Sequence, residues 1–313
     1  MKKYILLLAF GLSALVGFSQ QESQFTNFMH NYLSLNPAYA GAREVPSMTA
    51  LYRNQWLGFE GAPISQVLSF NTPIFKKRVG FGASLLHRSA GITANWSAQV
   101  AYSYSLQVTD DLGFRVGMHG ALRHIGINFA DEAAVIRDQR DPSTAMSTNM
   151  SQYAGNFGVG LFATYKDAYF GASIPNMLPN EIGFNETSSV VAEEIPHIYA
   201  MAGATFRVSD KIRLRPALLG KFVTGAPFDL DVNVSFIFEK DASVGLSYRA
   251  GGSGVGESID LLFYYQLSPK IGAGLAYDFS ISDLSSYQSG SFEALIRYDF
   301  QSDREDLSNP RFF

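Results

Sequence analysis

The chain contains no cysteine in its 313 residues. It therefore has no disulfide, no thiolate metal site and no cysteine that would carry the lipid of a bacterial lipoprotein. This absence is compatible with export of a fold whose strands close on themselves, because a closed hydrogen-bonded ladder needs no covalent cross-link.

Long apolar runs are also rare. Beyond residue 19 no uninterrupted apolar stretch approaches the ~20 residues that a membrane-spanning helix needs, so any membrane crossing would be made by strands. Residues 1–19 have the form of a secretory signal, with two lysines, an apolar run to Val16 and small residues at the end. We expect cleavage there, a mature chain that begins near Gln20 and an outer-membrane location.

An excess of positive charge is absent as well. The 24 Lys and Arg residues face 28 Asp and Glu residues, which gives a formal net charge of −4 at pH 7. A nucleic-acid partner is not expected, because phosphate binding depends on Lys and Arg. Trp is scarce at two residues, whereas 25 Phe, 16 Tyr and 28 Gly are typical of strands with aromatic girdles and tight turns.

The carboxy-terminal third alternates apolar and polar residues one by one. Between Phe228 and Phe238 every second residue is apolar, and Ile237 alone breaks the polar series between them. Since successive strand side chains point to opposite faces, such a strand has one face for lipid and one for a wet interior. A soluble β-sandwich would also alternate, but aromatic residues at both ends of the apolar face favour a transmembrane barrel.

Fourteen segments have strand character. We predict an all-β fold: an antiparallel up-and-down transmembrane β-barrel of about fourteen strands within residues 46–301. The predicted strands are 47–56, 63–72, 78–88, 92–108, 112–125, 152–165, 168–174, 196–208, 211–223, 227–239, 242–250, 257–267, 270–281 and 290–301.

The connections between these strands differ in length. Short, often charged turns follow even-numbered strands, and the long connections follow odd-numbered ones, although those after strands three and nine are short. In outer-membrane barrels the short turns face the periplasm, so we predict both termini there. The long connections are 126–151, 175–195, 250–256 and 282–289.

Two segments lie outside the strand pattern. Residues 20–45 carry apolar residues at roughly helical spacing before Asn36-Pro37 ends the run, and we predict that they plug the lumen or pack beneath it in the periplasm. Residues 302–313 follow the last strand and are predicted to form a periplasmic tail.

Three motifs resemble a known family. The segments QESQFTNFMHNYLSLNPAYAG at 21–41 and LYRNQWLGFEGAP at 51–63 resemble the opening of the PorP/SprF family of type IX secretion-associated outer-membrane proteins. NPRFF at 309–313 is similar to that family's usual ending. The resemblance covers essentially the whole mature chain.

The resemblance implies a non-enzymatic outer-membrane protein that assists a large secreted partner or holds it at the cell surface. In one branch of the family the partner is an adhesin with a type IX C-terminal sorting domain. In the other branch the protein works with the secretion and gliding apparatus and with periplasmic peptidoglycan-binding proteins. The motifs do not choose between the branches.

Alternation predicts a polar stripe on the lumen face of the wall, formed by Arg53, Arg115, His119 and Arg123. Arg53 could dock the 20–45 segment. The other three could bind an anionic solute, but pairing with lumen carboxylates is favoured because isolated interior charge is costly. The candidate carboxylates are Asp229, Asp231, Asp260, Asp278 and Glu293.

Two long connections are candidate partner-binding loops, because binding residues concentrate on loops that a rigid scaffold positions. Ordinary solvated loops are the alternative. The candidate residues are Asp131, Glu132, Arg137 and Arg140 in the first loop and Glu181, Glu186, Glu193 and Glu194 in the second.

No catalytic or cofactor-binding pattern is evident. His119 and His124 fall on opposite faces of a regular strand, which argues against a shared metal, and no serine lies in a Gly-flanked nucleophile elbow. We predict a protein without catalytic residues, cofactor or metal. The alternatives are an outer-membrane solute channel or transporter and, less favoured, a lipase whose serine and histidine come from different strands.

Overall fold

A computed structural model describes residues 24–43, 45–75, 78–128, 150–182, 192–239, 242–251 and 256–300. The predicted signal peptide and the predicted C-terminal tail lie outside these residues.

Fourteen antiparallel strands form the barrel. They are β1 (Ser47–Asn54), β2 (Ile64–Ile74), β3 (Val79–Ala90), β4 (Thr93–Gln107), β5 (Leu112–Ile127), β6 (Met150–Tyr165), β7 (Ala168–Ile174), β8 (His197–Ala204), β9 (Ile212–Val223), β10 (Asp229–Phe238), β11 (Ala242–Ala250), β12 (Ser258–Gln266), β13 (Ile271–Ser280) and β14 (Ser291–Asp299).

The sheet is closed, and each strand pairs with its neighbours in sequence. β1 joins β14 with Ser47 opposite Asp299, and β8 bridges β7 and β9 with His197 opposite Val223. The ring therefore has no free edge on which another chain could pair. The predicted fourteen-stranded up-and-down barrel is confirmed.

The strand predicted at 196–208 is divided in the structure. β8 ends at Ala204, and Phe206–Arg207 forms a two-residue strand that pairs only with β9. The register is continuous across the gap: Gly203 pairs with Ala217 and Phe206 with Leu214 of β9, so Ala204 lies opposite Pro216. Since proline has no N–H to donate, the ladder is interrupted at this point.

A second difference lies in the connection between β7 and β8. Asn180–Ile182 and Ala192–Glu194 pair as a small antiparallel sheet outside the ring. The sequence predicted a loop here, because the two strands have three residues each and are too short to show alternation.

The two faces of the barrel differ in polarity as the alternation predicts. In β10, Asn233 points inward and is 0% exposed, whereas Phe236 points outward and is 45% exposed. The one apolar residue in the inward series, Ile237, is also buried. An apolar outer surface and a polar interior are the arrangement of a transmembrane barrel.

The two ends of the barrel are named here by their connections. The long-loop end carries the connections after odd-numbered strands, and the short-turn end carries those after even-numbered strands. Chain positions 46 and 300 both lie at the short-turn end. No helix in the described parts of the chain exceeds four residues, so none there could cross a membrane.

Candidate functional site

Residues 24–43, called the plug segment below, lie inside the barrel. The segment contains a 3-10 turn at Phe28–His30, a short α-helix at Tyr32–Leu35 and a 3-10 turn at Pro37–Tyr39. Most of its apolar side chains form one buried cluster with inward-facing residues of the wall, among them Phe162 and Met201, and Phe25 packs in a second cluster with wall residues that include Leu295. The candidate site is therefore the lumen together with the segment that fills it.

Toward the long-loop end, a charged cluster binds the start of the plug segment. Arg53 pairs with Asp278 at 2.7 Å and with Glu293 at 3.2 Å. Glu293 accepts hydrogen bonds from the backbone N–H groups of Thr26 and Asn27, and Asp278 accepts one from the Thr26 hydroxyl. We call these five residues the latch. Its charges are compensated both by each other and by the plug backbone.

At mid-lumen the Asn36-Pro37 turn lies against the wall. The Asn36 carboxamide accepts from the Ala38 N–H at 2.9 Å and donates to the Leu161 carbonyl at 2.9 Å. The same side chain thus caps the 3-10 turn and fixes it to β6. Leu35 ends the preceding helix, and its carbonyl accepts from the Ser173 hydroxyl at 2.7 Å.

Glycines on the lumen face make this close approach possible. A Cβ added at Gly117 of β5 would collide with the backbone of Ala38, and one at Gly160 of β6 would collide with the Asn36 side chain. By contrast, Gly120 and Gly155, which lie on the outer face of the same two strands, have open space where a Cβ would lie. At Gly117 and Gly160 the absence of a side chain therefore makes room for the plug segment.

Aromatic rings fill the space beside the turn. Tyr39 meets Phe162 edge to face at 5.5 Å between ring centroids, and Phe162 stacks on Tyr169 at 5.6 Å. Tyr32 is 1% exposed and hydrogen-bonds to Tyr169 through the hydroxyl groups. Buried aromatic pairs of this kind each contribute about 0.5–1.5 kcal/mol beyond their buried area.

Near the short-turn end the plug segment is held by one buried ion pair and by hydrogen bonds from the wall. Arg43 pairs with Asp299 at 2.8 Å, and both side chains are buried. The Ala40 carbonyl accepts from the Ser103 hydroxyl at 2.6 Å and from Arg115 at 3.2 Å. The segment is thus fixed at both ends of the lumen.

His30 occupies a basic environment within the lumen. Burial, together with the nearby Arg297, lowers the pKa of His30 well below its ordinary value. The neutral ring can then accept a hydrogen bond from the Arg297 guanidinium through Nδ1, and it stacks on Tyr264 at 4.7 Å between ring centroids. This histidine contributes to docking of the plug segment through packing and hydrogen bonding.

The residues of the predicted polar stripe all point inward but do not form one site. Arg53 belongs to the latch, and Arg115 contacts the Ala40 carbonyl. His119 donates from Nε2 to the Pro175 carbonyl at 2.6 Å, and Arg123 pairs with Glu194. Of these arginines, Arg53 binds two of the lumen carboxylates named from the sequence.

The structure describes only some of the predicted partner-binding residues. Asp131, Glu132, Arg137, Arg140 and Glu186 lie outside the described residues. The backbones of Glu181 and Glu193 lie opposite each other in the small sheet after β7. The Glu194 carboxylate binds Arg123 and accepts from Asn180, so it fixes this connection to the barrel wall. Their role in partner binding stays a prediction.

The sequence did not identify the two latch residues that belong to the plug segment. Thr26 and Asn27 gave no signal, because a single polar residue in an amino-terminal segment is not distinctive. Their acceptors, Asp278 and Glu293, were recognised as lumen carboxylates from strand parity alone. Within the described residues, no three histidine or acidic side chains converge on a site that could hold a metal ion.

Replacing Gly117 tests the contact between the plug segment and the wall. Because the chain has no cysteine, a Met29→Cys variant gives a unique thiol within the buried plug segment. Gly117→Ala in that background should displace the segment, at a cost of about 1–3 kcal/mol for overpacking, and accelerate maleimide labelling at least about fivefold. Gly120→Ala places its methyl group on the outer face of the same strand, away from the plug segment, and should leave the labelling rate unchanged. Equal rates for the two variants would contradict the assignment.

The latch predicts a second labelling result. Arg53→Met leaves Asp278 and Glu293 without their shared cation, and breaking a buried ion pair costs about 3–5 kcal/mol. We expect faster labelling of the Met29→Cys thiol, with the folded barrel still seen by its migration in unheated gels. Arg207→Met, which removes an exposed pair with Asp210, is the control. A latch variant that labels as slowly as this control would show that the cluster does not hold the plug segment.

Solved outer-membrane proteins share the barrel architecture. The structure is similar to the toluene transporter TbuX of Ralstonia pickettii, with 10% identity, a TM-score of 0.53 and coverage of 87% of this chain and 94% of that one. It also matches a Pseudomonas aeruginosa FadL homologue with 13% identity, a TM-score of 0.47 and coverage of 91% and 96%. At such identity the likeness concerns the fold alone. No curated protein matches the chain.

The sequence itself matches a family model over most of its length. The match covers residues 17–298, which include the plug segment, thirteen complete strands and all of β14 except Asp299. The model describes the type IX secretion system membrane protein PorP/SprF. The resemblance found in the motifs at 21–41 and 51–63 is thereby confirmed. The chain is an outer-membrane β-barrel that belongs to the PorP/SprF family of type IX secretion system membrane proteins.

Proposed function

We propose that this protein is a non-enzymatic, plugged barrel that assists a type IX-secreted, adhesin-like surface protein or holds it at the cell surface. The observation that carries the proposal is the filled lumen. The plug segment is bound by the latch toward one end and by the Arg43–Asp299 pair toward the other. A barrel filled in this way is better suited to scaffolding than to solute passage.

The family gives the proposal its biological setting. The family consists of type IX secretion system membrane proteins, so this barrel is expected to associate with the secretion machinery. The large partner would carry a type IX C-terminal sorting domain, as the family resemblance implies. Periplasmic peptidoglycan-binding or gliding-apparatus proteins are the expected partners at the opposite end.

Loop lengths suggest how the barrel is oriented. In outer-membrane barrels the longer connections face the cell exterior, so the long-loop end would meet the surface protein. The connection from 128 to 149 is as long as the one from 175 to 196, and it holds the mixed charges of Asp131, Glu132, Arg137 and Arg140. These side chains are the proposed contacts, because loops on a rigid scaffold commonly carry recognition.

A solute channel is the alternative function. TbuX is a toluene transporter, and its structure has the same general architecture. That similarity does not transfer a substrate to this chain, because one barrel fold serves many functions. The contacts of the plug segment at both ends of the lumen favour the docking role.

Deletion of residues 131–149 tests the docking role in cells. We expect the variant barrel to insert and fold normally while the surface protein is released into the medium. In a second variant, a Gly/Ser linker of equal length replaces the segment. This variant keeps the length of the loop but loses its sequence, and it should also release the partner. Unchanged surface retention in both variants would overturn the proposed loop contacts.

A further inference from the structure

One side of the outer surface carries a row of polar and aromatic side chains. Its members lie directly opposite one another on six consecutive strands, from β1 to β6, and point away from the lumen. We call them the outer row: Tyr52, Gln66, His87, Trp96, His124 and Tyr153. Neighbouring rings are in contact, with 4.2 Å between the centroids of His87 and Trp96 and 4.8 Å between those of His124 and Tyr153.

The polar groups of this row are confined to one part of the lipid-facing surface. Leaving aside the first and last residue of each described barrel strand, the outward-facing positions carry no charged side chain. At these positions, the only carboxamide and imidazole groups are those of Gln66, His87 and His124. Within the described residues, neither Gln66 nor His87 makes a side-chain hydrogen bond. Because a polar group that faces lipid is costly without a partner, these side chains indicate a partner outside the chain.

The outer row lies at the height of one membrane boundary. Each member is among the four residues nearest the long-loop end of its strand. On β4 the outer face continues from Trp96 through apolar and tyrosine side chains to Leu106, a length of roughly 34 Å along the strand. At a strand tilt of about 40° this length corresponds to a height of about 25 Å, which is the height of the apolar band of an outer-membrane barrel. The row therefore lies where the lipid headgroups begin.

Two apolar grooves adjoin the row on the lipid-facing surface. The first has a volume of about 470 Å³; the small side chains of Ala50 and Ala294 line it, together with four members of the outer row. The second has a volume of about 610 Å³ and contains Gly120 and Gly155, where no side chain fills the surface. Since the outer face of such a barrel contacts the bilayer, both grooves are continuous with a lipid interface, and lipid acyl chains are the occupants that they fit.

The chemistry of the row favours a sugar headgroup. Its carboxamide, imidazole, indole and phenol groups offer both donors and acceptors, as sugar hydroxyls do. The row contains no lysine or arginine, which are the side chains best suited to phosphate. It extends over five strand spacings, roughly 24 Å, so a wide headgroup can contact several of its members at once. The two grooves beside it accommodate more than one acyl chain.

We propose that the outer row and the two grooves bind a glycolipid of the outer leaflet. Its sugar hydroxyls form hydrogen bonds with Gln66, His87 and His124, and its acyl chains lie in the grooves. In outer-membrane barrels the longer connections face the cell exterior, so the row at the long-loop end belongs to that leaflet. The site uses neither the lumen nor the side chains proposed for docking, and it does not depend on the docking function.

Binding of two lipids to the purified full-length protein in detergent tests this site. The first probe is lipid A, a phosphorylated diglucosamine with several acyl chains. The second is cardiolipin, which also has several acyl chains and phosphates but lacks a sugar ring. Because only lipid A offers sugar groups to the row, we expect it to bind at least about fivefold more tightly than cardiolipin, as measured by native mass spectrometry.

The double variant Gln66→Leu with His87→Leu removes polar groups and keeps the lipid-facing surface apolar. It should abolish most of the preference for lipid A, and its migration in unheated gels should still show a folded barrel. The matched control is Tyr102→Leu with Tyr104→Leu, at two outward-facing positions of β4 outside the row, and it should leave the preference unchanged.

A second pair of variants tests the first groove. Ala50→Leu places a larger side chain in the groove and should weaken lipid A binding at least about threefold, because an acyl chain loses its contact surface. Ala202→Leu, at an outward-facing position of β8 opposite Phe170 and Leu218, is the control and should bind lipid A as the wild type does.

Equal affinity of the wild type for lipid A and cardiolipin overturns the glycolipid site, and so does an equal loss in the Gln66→Leu with His87→Leu variant and its tyrosine control. If the wild type shows no preference for lipid A and forms a dimer in detergent that Ala50→Leu dissociates, this face is an interface with a second copy of the chain, and the proposal fails.

Discussion

The polar side chains inside a closed barrel need hydrogen-bond and ion-pair partners, and the rest of the structure depends on this requirement. Alternation sends every second side chain of fourteen strands into the lumen, and a ring of this size is wider than an eight-stranded barrel whose side chains fill the interior. Buried charge without a partner is costly. The plug segment meets this need with backbone N–H groups, carbonyls and short polar side chains, and the latch is the clearest instance.

This requirement explains the residues on the lumen face. Gly117 and Gly160 lie where the plug segment touches the wall, and charged residues occur where the segment begins and ends. The outer face carries apolar and aromatic side chains throughout the strands. The strands therefore act as a scaffold, and the segments that interrupt them are the proposed sites of specificity.

Much of this fold could be predicted from the sequence. Strand number and inward direction follow from a period of two, so Arg53, Asp278 and Glu293 were placed on the lumen face. Their pairing could not be predicted, because it depends on which strands lie together in space and on how far the plug segment reaches. The break before Phe206 also needs the structure, since Pro216 interrupts a ladder on the neighbouring strand.

The central claim is that the lumen is occupied and that the protein acts as a scaffold. The most direct test is the ionic conductance of the purified full-length protein in planar lipid bilayers. The account predicts no steady conductance in the wild type, because residues 24–43 are held inside the barrel. A stable open-channel current in the wild type would contradict it.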